Sequence, residues 1–250
     1  MFEARMTNGI VLKKIIEAIK EVVTDVNFQV THEGLHMQAM DSSHVALVSL
    51  ILRSSEFAEY RCDRPQTLGI SIGSLAKILK LAGNDDAISL KAEDEASVLT
   101  LIFEASESRM SEFSLNLLMF DSEHLGVPSQ DYPAVVDFSS SEFARICREL
   151  LTITDTLEIT VSKDNITFSV DGDIGTGSVI LRHNDSSKAE ERTVIRAIES
   201  FKIGYALRYM NMFSKGASLT ETVRFMMQPD CPIVVKYEFE LGELSYFLAP

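Results

Sequence analysis

Segments in which apolar and polar residues alternate make up most of this chain. Alternation with a period of two predicts β-strands that bury one face and expose the other. The clearest alternating segments are residues 28–30, 45–52, 98–103, 113–117, 157–161 and 233–239. Turn-forming residues at 84–86, 93–95 and 229–230 separate strands from one another. The pattern therefore predicts a protein built largely from short strands.

Four windows have instead the spacing of amphipathic helices, in which every third or fourth residue is apolar. They span residues 9–23, 73–83, 141–151 and 204–215. The third window follows Ser139, and Glu142 stands three residues later, a pattern typical of a capping box. We expect each helix to bury one stripe, namely Leu12, Ile15, Ile16, Ile19 and Val23; Leu75, Ile78, Leu79 and Ala82; Phe143, Ile146, Cys147 and Leu150; and Ala206, Tyr209, Met210 and Phe213.

The helical windows indicate an internal repeat. The first and third windows lie about 130 residues apart, and the second and fourth lie 131 apart, which places Lys77 on Arg208. Each half is predicted to run helix, several strands, helix, several strands. Residues 119–133 break the periodicity and include two prolines. We therefore predict two copies of one domain and a connector between them; the alternative is a coincidence of two amphipathic patterns.

Charge is unevenly distributed along the chain. The chain has 23 Lys and Arg residues against 37 Asp and Glu residues, a net charge of −14 that by itself argues against nucleic-acid binding. The four helical windows nevertheless contain nine cations and four anions, a net charge of +5, whereas the other 201 residues have a net charge of −19. The sequence therefore predicts one basic surface on an acidic protein.

Spread cations on helices are suited to contact the phosphate backbone of DNA without reading its bases. Few phosphates would be neutralised per chain, so the affinity would be weak and sensitive to salt. Such a protein slides along DNA and needs a topological means of staying on it. The alternative is an ordinary solvated helix face with paired charges, to which Glu17 between Lys13 and Lys20 conforms.

Composition excludes several other classes. Hydrophobic residues account for 46% and charged residues for 24%, as in globular proteins. The apolar runs are far shorter than the roughly 20 residues of a membrane span, and residues 1–5 do not resemble a secretory signal. Cys62, Cys147 and Cys231 match neither a disulfide framework nor a metal knuckle, which favours a reducing compartment.

The chain closely resembles the proliferating cell nuclear antigen family, the eukaryotic DNA sliding clamps, over essentially all 250 residues. The matching segments are residues 1–5, 40–45, 60–64, 77–80, 125–128, 142–148, 206–209 and 246–250. The resemblance implies an α+β protein with two similar domains of the DNA clamp fold. The expected parts are an N-terminal domain (1–117), an interdomain connecting loop (118–134) and a C-terminal domain (135–250). Antiparallel sheets would form the outside of a pseudo-six-fold trimeric ring, with two helices per domain inside.

The resemblance also implies a set of DNA-facing cations, some of which lie in the segment that matches the family's DNA-binding segment, residues 61–80. By matching positions, the expected DNA-binding residues are Lys13, Lys14, Lys20, Arg61, Arg64, Lys77, Lys80, Arg145, Arg148, Arg208 and Lys215.

Subunits of this family join through edge strands. Residues 109–117 alternate as a half-buried strand does, and residues 177–182 would be their partner on the next chain. The expected interface residues are Arg109, Phe113, Leu115, Leu117, Gly177, Val179 and Leu181. A closed ring would pair these edges, which otherwise invite aggregation. Periodicity alone leaves open a central strand within one monomer.

The family binds partner proteins through a hydrophobic pocket under the connector. The matching residues are Met40, His44, Val45, Leu47, Leu125, Val127, Pro128, Pro232, Phe247, Leu248, Ala249 and Pro250. The implied partners are the replicative DNA polymerase, the flap endonuclease, DNA ligase, other proteins with the same peptide motif, and a clamp-loader ATPase. Lys163 matches the family's ubiquitin and SUMO acceptor. No cofactor, metal, membrane or catalytic residue is expected, and the location is expected to be nuclear.

Two alternatives remain at this point. One is a checkpoint-type clamp subunit, which assembles with two different chains. The other is a metal-dependent nuclease built on the acidic turns at Asp85, Asp86 and residues 93–95, although such turns are usually only solvated.

Overall fold

The computed structural model describes residues 1–106, 109–120, 126 and 131–250. Strand pairs with a defined register are antiparallel, and helices interrupt them, which confirms the α+β class. The chain forms two compact units. Unit 1 comprises residues 1–42, 48–125 and 239–244, and unit 2 comprises residues 43–47, 126–238 and 245–250.

The first half of the chain contains nine strands and two α-helices among its described residues. They are β1 (Phe2–Met6), α1 (Ile10–Ile19), β2 (Asp25–Thr31), β3 (Gly34–Met40), β4 (Ala46–Arg53), β5 (Glu59–Cys62), β6 (Gln66–Ser71), α2 (Ile72–Leu79), β7 (Ala87–Ala92), β8 (Val98–Ser106) and β9 (Arg109–Asn116). A short 3-10 helix at Ser54–Glu56 precedes β5.

The second half repeats this order. Its elements are β10 (Ala134–Ser139), α3 (Ser140–Leu150), β11 (Thr156–Val161), β12 (Asn165–Gly172), β13 (Gly175–Arg182), β14 (Thr193–Ala197), β15 (Phe201–Ala206), α4 (Leu207–Phe213), β16 (Thr222–Met227), β17 (Ile233–Phe239) and β18 (Gly242–Leu248). A 3-10 helix at Ser214–Ser218 continues α4. The predicted repeat of one domain is therefore confirmed.

The offset between the repeats changes along the chain. β2 and β11 begin 131 residues apart, at Asp25 and Thr156, whereas β6 and β15 begin 135 residues apart, at Gln66 and Phe201. The difference arises before β14, because residues 183–192 link β13 to β14, whereas only residues 54–58 link β4 to β5.

This change of offset corrects the predicted alignment of the second and fourth helices. α2 and α4 begin at Ile72 and Leu207, again 135 residues apart. The counterpart of Lys77 is therefore Met212 rather than Arg208, and Lys80 corresponds to Lys215. The offset of 131 was wrong because it ignored the longer link before β14.

Each unit contains two sheets. In unit 1 the strand orders are β5-β1-β7-β8-β9 and β4-β3-β2-β6. In unit 2 they are β13-β12-β11-β15 and β14-β10-β16-β17, with β18 next to β17. Among the described residues β9 has β8 as its single neighbouring strand, and β13 has β12. The structure thus places β9 at an edge, which resolves the alternative of a central strand.

The core of unit 1 lies between its sheets and its two helices. Alternate residues of the strands point inward, and α1 and α2 contribute their apolar stripes. The side chains that meet there include Phe2, Leu12, Phe28, Leu35, Leu52, Leu68, Ile70, Leu75, Leu90 and Leu99.

The core of unit 2 is aromatic where α3 packs on the sheet. The ring of Phe225 lies 5.0 Å from that of Phe138 and 5.0 Å from that of Phe143, both edge-to-face. α4 is anchored nearby, because the Tyr237 hydroxyl donates to the Phe213 carbonyl at 3.0 Å. These contacts hold α3 and α4 against the same face of the sheet.

The helices α1, α2 and α3 begin within one residue of the predicted windows, but α1 ends at Ile19 and α2 at Leu79, each four residues before its window ends. The stripes predicted for the first and third windows are buried in full. In the second window, Ile78 is only partly buried. In the fourth, residues 204–206 belong to β15, so Ala206 is a strand residue and the helix begins at buried Leu207. None of the described helices is long and apolar enough to span a membrane.

Candidate nucleic-acid interface

The helix cations of unit 1 lie on α1 and just after it and on α2, and these two helices contact each other. Lys77 and Lys80 are one turn apart on the exposed side of α2, opposite buried Leu75 and Leu79. Lys14 is half-buried on α1. Lys14, Lys77 and Lys80 have no ion-pair partner among the described residues.

The other two α1-side lysines are engaged within the protein. The Lys13 ammonium donates to the carbonyl of Ala82, and lies 3.5 Å from that of Gly83, just beyond the C-terminal end of α2. Carbonyls at a helix end attract a cation, so Lys13 ties α1 to α2. Lys20 forms an ion pair with Glu17 at 2.5 Å. The paired helix face considered from the sequence therefore holds for Lys20.

The helix cations of unit 2 lie on α3, α4 and the 3-10 helix that follows α4, and α3 contacts both. Arg145 is paired with Glu142 at 2.7 Å and with Glu149 at 3.8 Å, and the hydrogen bond to Glu142 raises the pKa of the Arg145 guanidinium. Arg148 is exposed.

The remaining two helix cations of unit 2 are Arg208 on α4 and Lys215 on the 3-10 helix after it. Arg208 lies over the ring of Tyr209, 5.2 Å from its centroid, a cation–π contact. Lys215 is exposed. In the described part of the chain, Arg148, Arg208 and Lys215 have no carboxylate partner.

The unpaired cations are concentrated toward helix C-terminal ends. Lys77, Lys80, Arg148 and Lys215 lie in or just after the last turn of their helices. The negative end of the helix dipole stabilises a cation at the C-terminal end of a helix even when no carboxylate pairs with it. Unpaired positive charge can thus accumulate on these helices without destabilising the fold, and it remains available to phosphate.

Arg61 and Arg64 lie apart from the helices. Arg61 is on β5, cross-strand from Glu3 and on the face of the sheet opposite buried Phe2. Both guanidinium nitrogens of Arg61 that face Asp63 bond to it, at 2.8 and 2.9 Å, and the hydrogen bond from Arg61 lowers the pKa of Asp63. Arg64 is exposed in the loop before β6. The structure does not group these two arginines with Lys77 and Lys80.

The strands expected to join subunits expose apolar side chains at their edges. On β9, Leu115 is buried, Phe113 is half-buried against Phe103 with ring centroids 5.3 Å apart, and Met110 is 65% exposed. On β13, Ile180 is 54% exposed. The expected residues Gly177, Val179, Leu181 and Leu117 are half-buried, and Arg109 is exposed.

The counterparts of these edges in the repeat are covered. β4 corresponds to β13, and within unit 1 the segment 239–244 lies beside β4, where the Arg53 N–H donates to the Leu241 carbonyl at 3.0 Å. β18 corresponds to β9, and within unit 1 its first residues, 242–244, lie beside β4. The strand that is open as β13 in unit 2 is thus partnered as β4 in unit 1.

Part of the expected partner pocket lies in unit 2. The Ala249 N–H donates to the Val45 carbonyl at 3.1 Å, so the last residues run beside residues 43–47. Val45 is 40% exposed, and His44 has a left-handed backbone with φ of 58°. Of the remaining expected residues in this unit, Leu248 is buried, Leu47 and Phe247 are half-buried, and Pro232, Ala249 and Pro250 are exposed.

The other expected pocket residues are placed differently. Met40 belongs to unit 1, at the end of β3, and is 37% exposed. Leu125, Val127 and Pro128 lie outside the described residues. The beginning of the connector is anchored on unit 1, because the Leu118 N–H donates to the Gly69 carbonyl at 2.8 Å and the Asn27 side chain donates to the Phe120 carbonyl at 2.9 Å.

Close approach explains the glycine at this anchor. A Cβ atom on Gly69 would lie 2.2 Å from the Leu118 carbonyl oxygen, so a larger residue would displace the connector. This anchor was missed in the sequence, where Gly69 had no distinguishing neighbour.

Lys163 is exposed in the turn between β11 and β12. The Ser162 hydroxyl organises this turn by accepting from the N–H groups of Asp164 and Asn165, at 3.3 and 3.1 Å. The side chain of Lys163 is accessible to an enzyme that modifies lysine.

The acidic turns are used within the fold. The Asp86 carboxylate accepts from the Gly83 N–H at 2.8 Å, and Asp94 pairs with the N-terminal amine. No group of three or more His, Cys, Asp or Glu side chains suited to a metal ion occurs in the part of the chain that the structure describes.

Comparison with known families agrees with this arrangement of repeated units and basic helices. Residues 1–124 match the model of the proliferating cell nuclear antigen N-terminal domain, and residues 126–250 match that of its C-terminal domain. The clamp domains of this family are non-catalytic scaffolds that act on DNA. The two matches together cover nearly the whole chain, and the chain belongs to the proliferating cell nuclear antigen family of DNA sliding clamps.

Proposed function

We propose that this protein is a DNA polymerase processivity factor, a homotrimeric sliding clamp that encircles duplex DNA and has no catalysis of its own. The observation that carries this proposal is the repeated set of helix cations that lack a carboxylate partner in the described structure, including the repeat-equivalent pair Lys80 and Lys215. Such cations bind phosphate oxygens of any sequence, as a sliding protein requires.

The open strands β9 and β13 support closure by three copies, head to tail. In the repeat, the counterpart of β13 is already covered, so a strand from another chain at β13 would repeat a joint that the fold makes once within the chain. Pairing with β9 of that chain would also cover Met110 and Ile180. Closed rotational symmetry would then pair both of these edges in every chain.

The proposed ring places the helices of all its domains around the central opening and the sheets outside. The nine helix cations would face the duplex there, with Arg61 and Arg64 at its margin. The remaining acidic surface would repel DNA. The domain boundaries at 117/118 and 134/135 belong to the same proposal, with the connector between them.

Partner proteins would dock by a short peptide with aromatic anchors, placed against Val45, Leu47 and Phe247 and paired along the C-terminal residues. We include the replicative polymerase, the flap endonuclease and DNA ligase among these partners. A loader ATPase would open the ring, Lys163 would accept ubiquitin or SUMO, and the protein would act in the nucleus.

The test measures the mass of the assembled protein and whether the protein is topologically linked to circular DNA. Light scattering after gel filtration should give three times the chain mass of 27.8 kDa. The protein loaded on a nicked circular plasmid should then remain bound through gel filtration and be released when the plasmid is cut once. A monomer at micromolar concentration, or equal retention on cut and uncut plasmid, would contradict the proposal.

The same measurements address the alternatives. A checkpoint-type subunit would stay monomeric until two different chains were added. A nuclease would cleave DNA with magnesium and lose that activity on Asp85→Asn or Glu93→Gln substitution, which would overturn the proposal outright.

A further inference from the structure

Unit 2 has a second basic cluster, away from its helices. A cavity of about 330 Å³ on the sheet β14-β10-β16 is lined by Arg192, Arg196, Arg224 and Asp137 together with Thr222. Three arginines and one carboxylate thus surround one opening, on a protein with a net charge of −14. Two carboxylates at the rim also pair with these arginines, Asp185 with Arg192 at 3.1 Å and Glu238 with Arg224 at 3.6 Å.

The carboxylate holds two of the arginines in place. Asp137 is 14% exposed, and its two oxygens accept from the Arg196 Nη2 at 2.6 Å and from the Arg224 Nε at 2.7 Å. Arg192 is fixed from the rim, where its Nε and Nη2 both lie 3.1 Å from Asp185 Oδ1. The negative charge of Asp137 is therefore neutralised within the protein. Asp137 orients the guanidinium groups of Arg196 and Arg224 rather than repelling an anion.

The arginines keep donors for a ligand. The described contacts of Arg196 use one nitrogen, and Arg196 and Arg192 are 56% and 55% exposed. A guanidinium has N–H donors on three nitrogens in a planar fork, which matches the oxygens of phosphate and carboxylate. The three nitrogens of Arg224 already contact Asp137 and Glu238. The nitrogens of Arg196 and Arg192 that have no described contact remain, and donors from two guanidinium groups at one opening suit a tetrahedral oxyanion.

This cavity is on the opposite face of the sheet from the helices. Val136 and Phe138 flank Asp137 in β10 and are buried, and the Phe138 ring lies 6.0 Å from that of Phe143 on α3. Successive strand residues point to opposite faces, so Asp137 and its arginines point away from α3. Duplex DNA bound at the helices would not reach them.

The cluster is also specific to one repeat. Arg5 occupies the position in β1 that Asp137 occupies in β10, each following two buried alternate residues. Arg5 is surrounded by acids, with Glu104 at 2.6 Å and Glu59 cross-strand. The charge pattern is thus inverted between the units, and the fold itself does not require a basic cluster there.

We propose that the Arg192–Arg196–Arg224 cavity is a binding site for a phosphate monoester, either free or carried by a phosphorylated side chain of a partner. The Asp137 carboxylate positions Arg196 and Arg224 for it, and Arg192 closes the third side.

The test uses fluorescence anisotropy with a labelled, otherwise neutral peptide that carries one phosphoserine, at fixed ionic strength on the full chain. The phosphopeptide should bind saturably, and its unphosphorylated form should not. Inorganic phosphate should compete. Phosphopeptide binding tenfold tighter than inorganic phosphate identifies a side-chain source, and equal affinities identify free phosphate; both support the site.

Arg196→Gln and Arg192→Gln should each weaken phosphopeptide binding about tenfold, the loss expected for one charged hydrogen bond. Asp137 keeps its Arg224 contact in both variants, so the fold should persist, and thermal melting checks this. Arg53→Gln is the matched control, because it removes one arginine paired with a single carboxylate, Glu243, elsewhere on a sheet.

Three results would overturn the proposal. They are absence of saturable binding to the unmodified protein, an equal loss of affinity in the Arg53→Gln control, and displacement of the phosphopeptide by a short DNA duplex. The last result would place the phosphate at the helices instead.

Discussion

Individual helix cations of this clamp differ in what already binds them. Lys13 is held by carbonyl oxygens at the end of α2, and Lys20 and Arg145 are held by glutamates on their own helices. A lysine already bound within the protein gains less from phosphate, because the existing contact must be broken. Lys80 and Lys215 have no described ion pair that must be broken before they bind phosphate.

We predict that Lys80→Ala with Lys215→Ala weakens binding to linear duplex DNA about tenfold or more, independently of sequence. The slope of log affinity against log salt should fall by about 1 for each phosphate that the variant no longer neutralises. Anisotropy with a labelled duplex at several salt concentrations measures both effects.

The control for this pair is Lys202→Ala, which removes a sheet lysine paired with Glu158. Equal weakening by Lys202→Ala would show a general charge effect and would contradict the role given to Lys80 and Lys215. Lys13→Ala should reduce the free energy of unfolding, measured by thermal melting, by more than it reduces the free energy of DNA binding.

Some residue contacts could be inferred from spacing and others could not. The Lys20–Glu17 pair follows from a separation of three residues on one helix. The Lys13 contact with Ala82 joins residues 69 apart, and it depends on how α1 packs against α2. No local pattern contains that information.

One strand of the repeat has two neighbouring strands in one unit and a single described neighbour in the other. β4 and β13 are the same strand of the repeat, yet the first has a neighbour on both sides in unit 1 and the second has one described neighbour. An exposed edge with apolar residues is usually an aggregation hazard. A defined partner strand from another copy would remove it.

We predict that Ile180→Asp or Met110→Asp converts the proposed trimer to monomers, because each places an unpaired charge at the strand edge that the next chain must cover. Both side chains are already exposed, so each variant should keep its secondary structure and melting behaviour. Gel filtration with light scattering gives the mass. Leu115 is less suitable for this test, because it is 6% exposed within unit 1 itself.

Ile198→Asp serves as the control for this pair. Ile198 is 76% exposed in the turn after β14, a strand that is not one of the two proposed to join subunits. Loss of the trimer in this variant, or its survival in Ile180→Asp, would contradict the assignment of the edges.

The presence of a helix was easier to predict from the sequence than the residue at which it begins. The apolar stripes of α1 and α3 were evident because helical periodicity is local. The Ser139 cap was also evident, and its hydroxyl accepts from the Glu142 N–H at 3.4 Å. The Glu142 carboxylate, however, pairs with Arg145 rather than closing the capping box. The start of α4 was misplaced because β15 leads directly into it.

On the scale of the whole molecule, the helices have a net positive charge and the rest of the chain has a net negative charge. The chain is strongly acidic, yet its helices carry a set of cations without carboxylate partners in the described structure. Attraction at the helices and repulsion elsewhere would orient DNA toward the helices and keep the contact weak. Retention would then depend on a closed ring rather than on affinity.

We predict that salt separates these two modes of binding. Raising salt from low to physiological concentration should weaken binding to short linear DNA by more than tenfold, since each neutralised phosphate adds about 0.9 to the slope. Protein loaded on a covalently closed circle should stay bound over the same range. Gel filtration of the DNA complexes measures the retained fraction.

The Lys80→Ala, Lys215→Ala double variant is the informative comparison. It should lose linear-DNA binding and still be retained on closed circles once loaded. Release from the circle by salt at the same rate as from linear DNA would exclude topological retention.

The sequence by itself determined the α+β class, the repeat and the concentration of positive charge on the helices. These follow from local periodicity and from counting, and neither requires knowing which elements pack together. Tertiary structure decided which cations are unpaired, that β9 and β13 are edges, and that three arginines line one opening with Asp137. Each of these depends on contacts between residues far apart in the chain, where burial and strand pairing rather than local preference determine the arrangement.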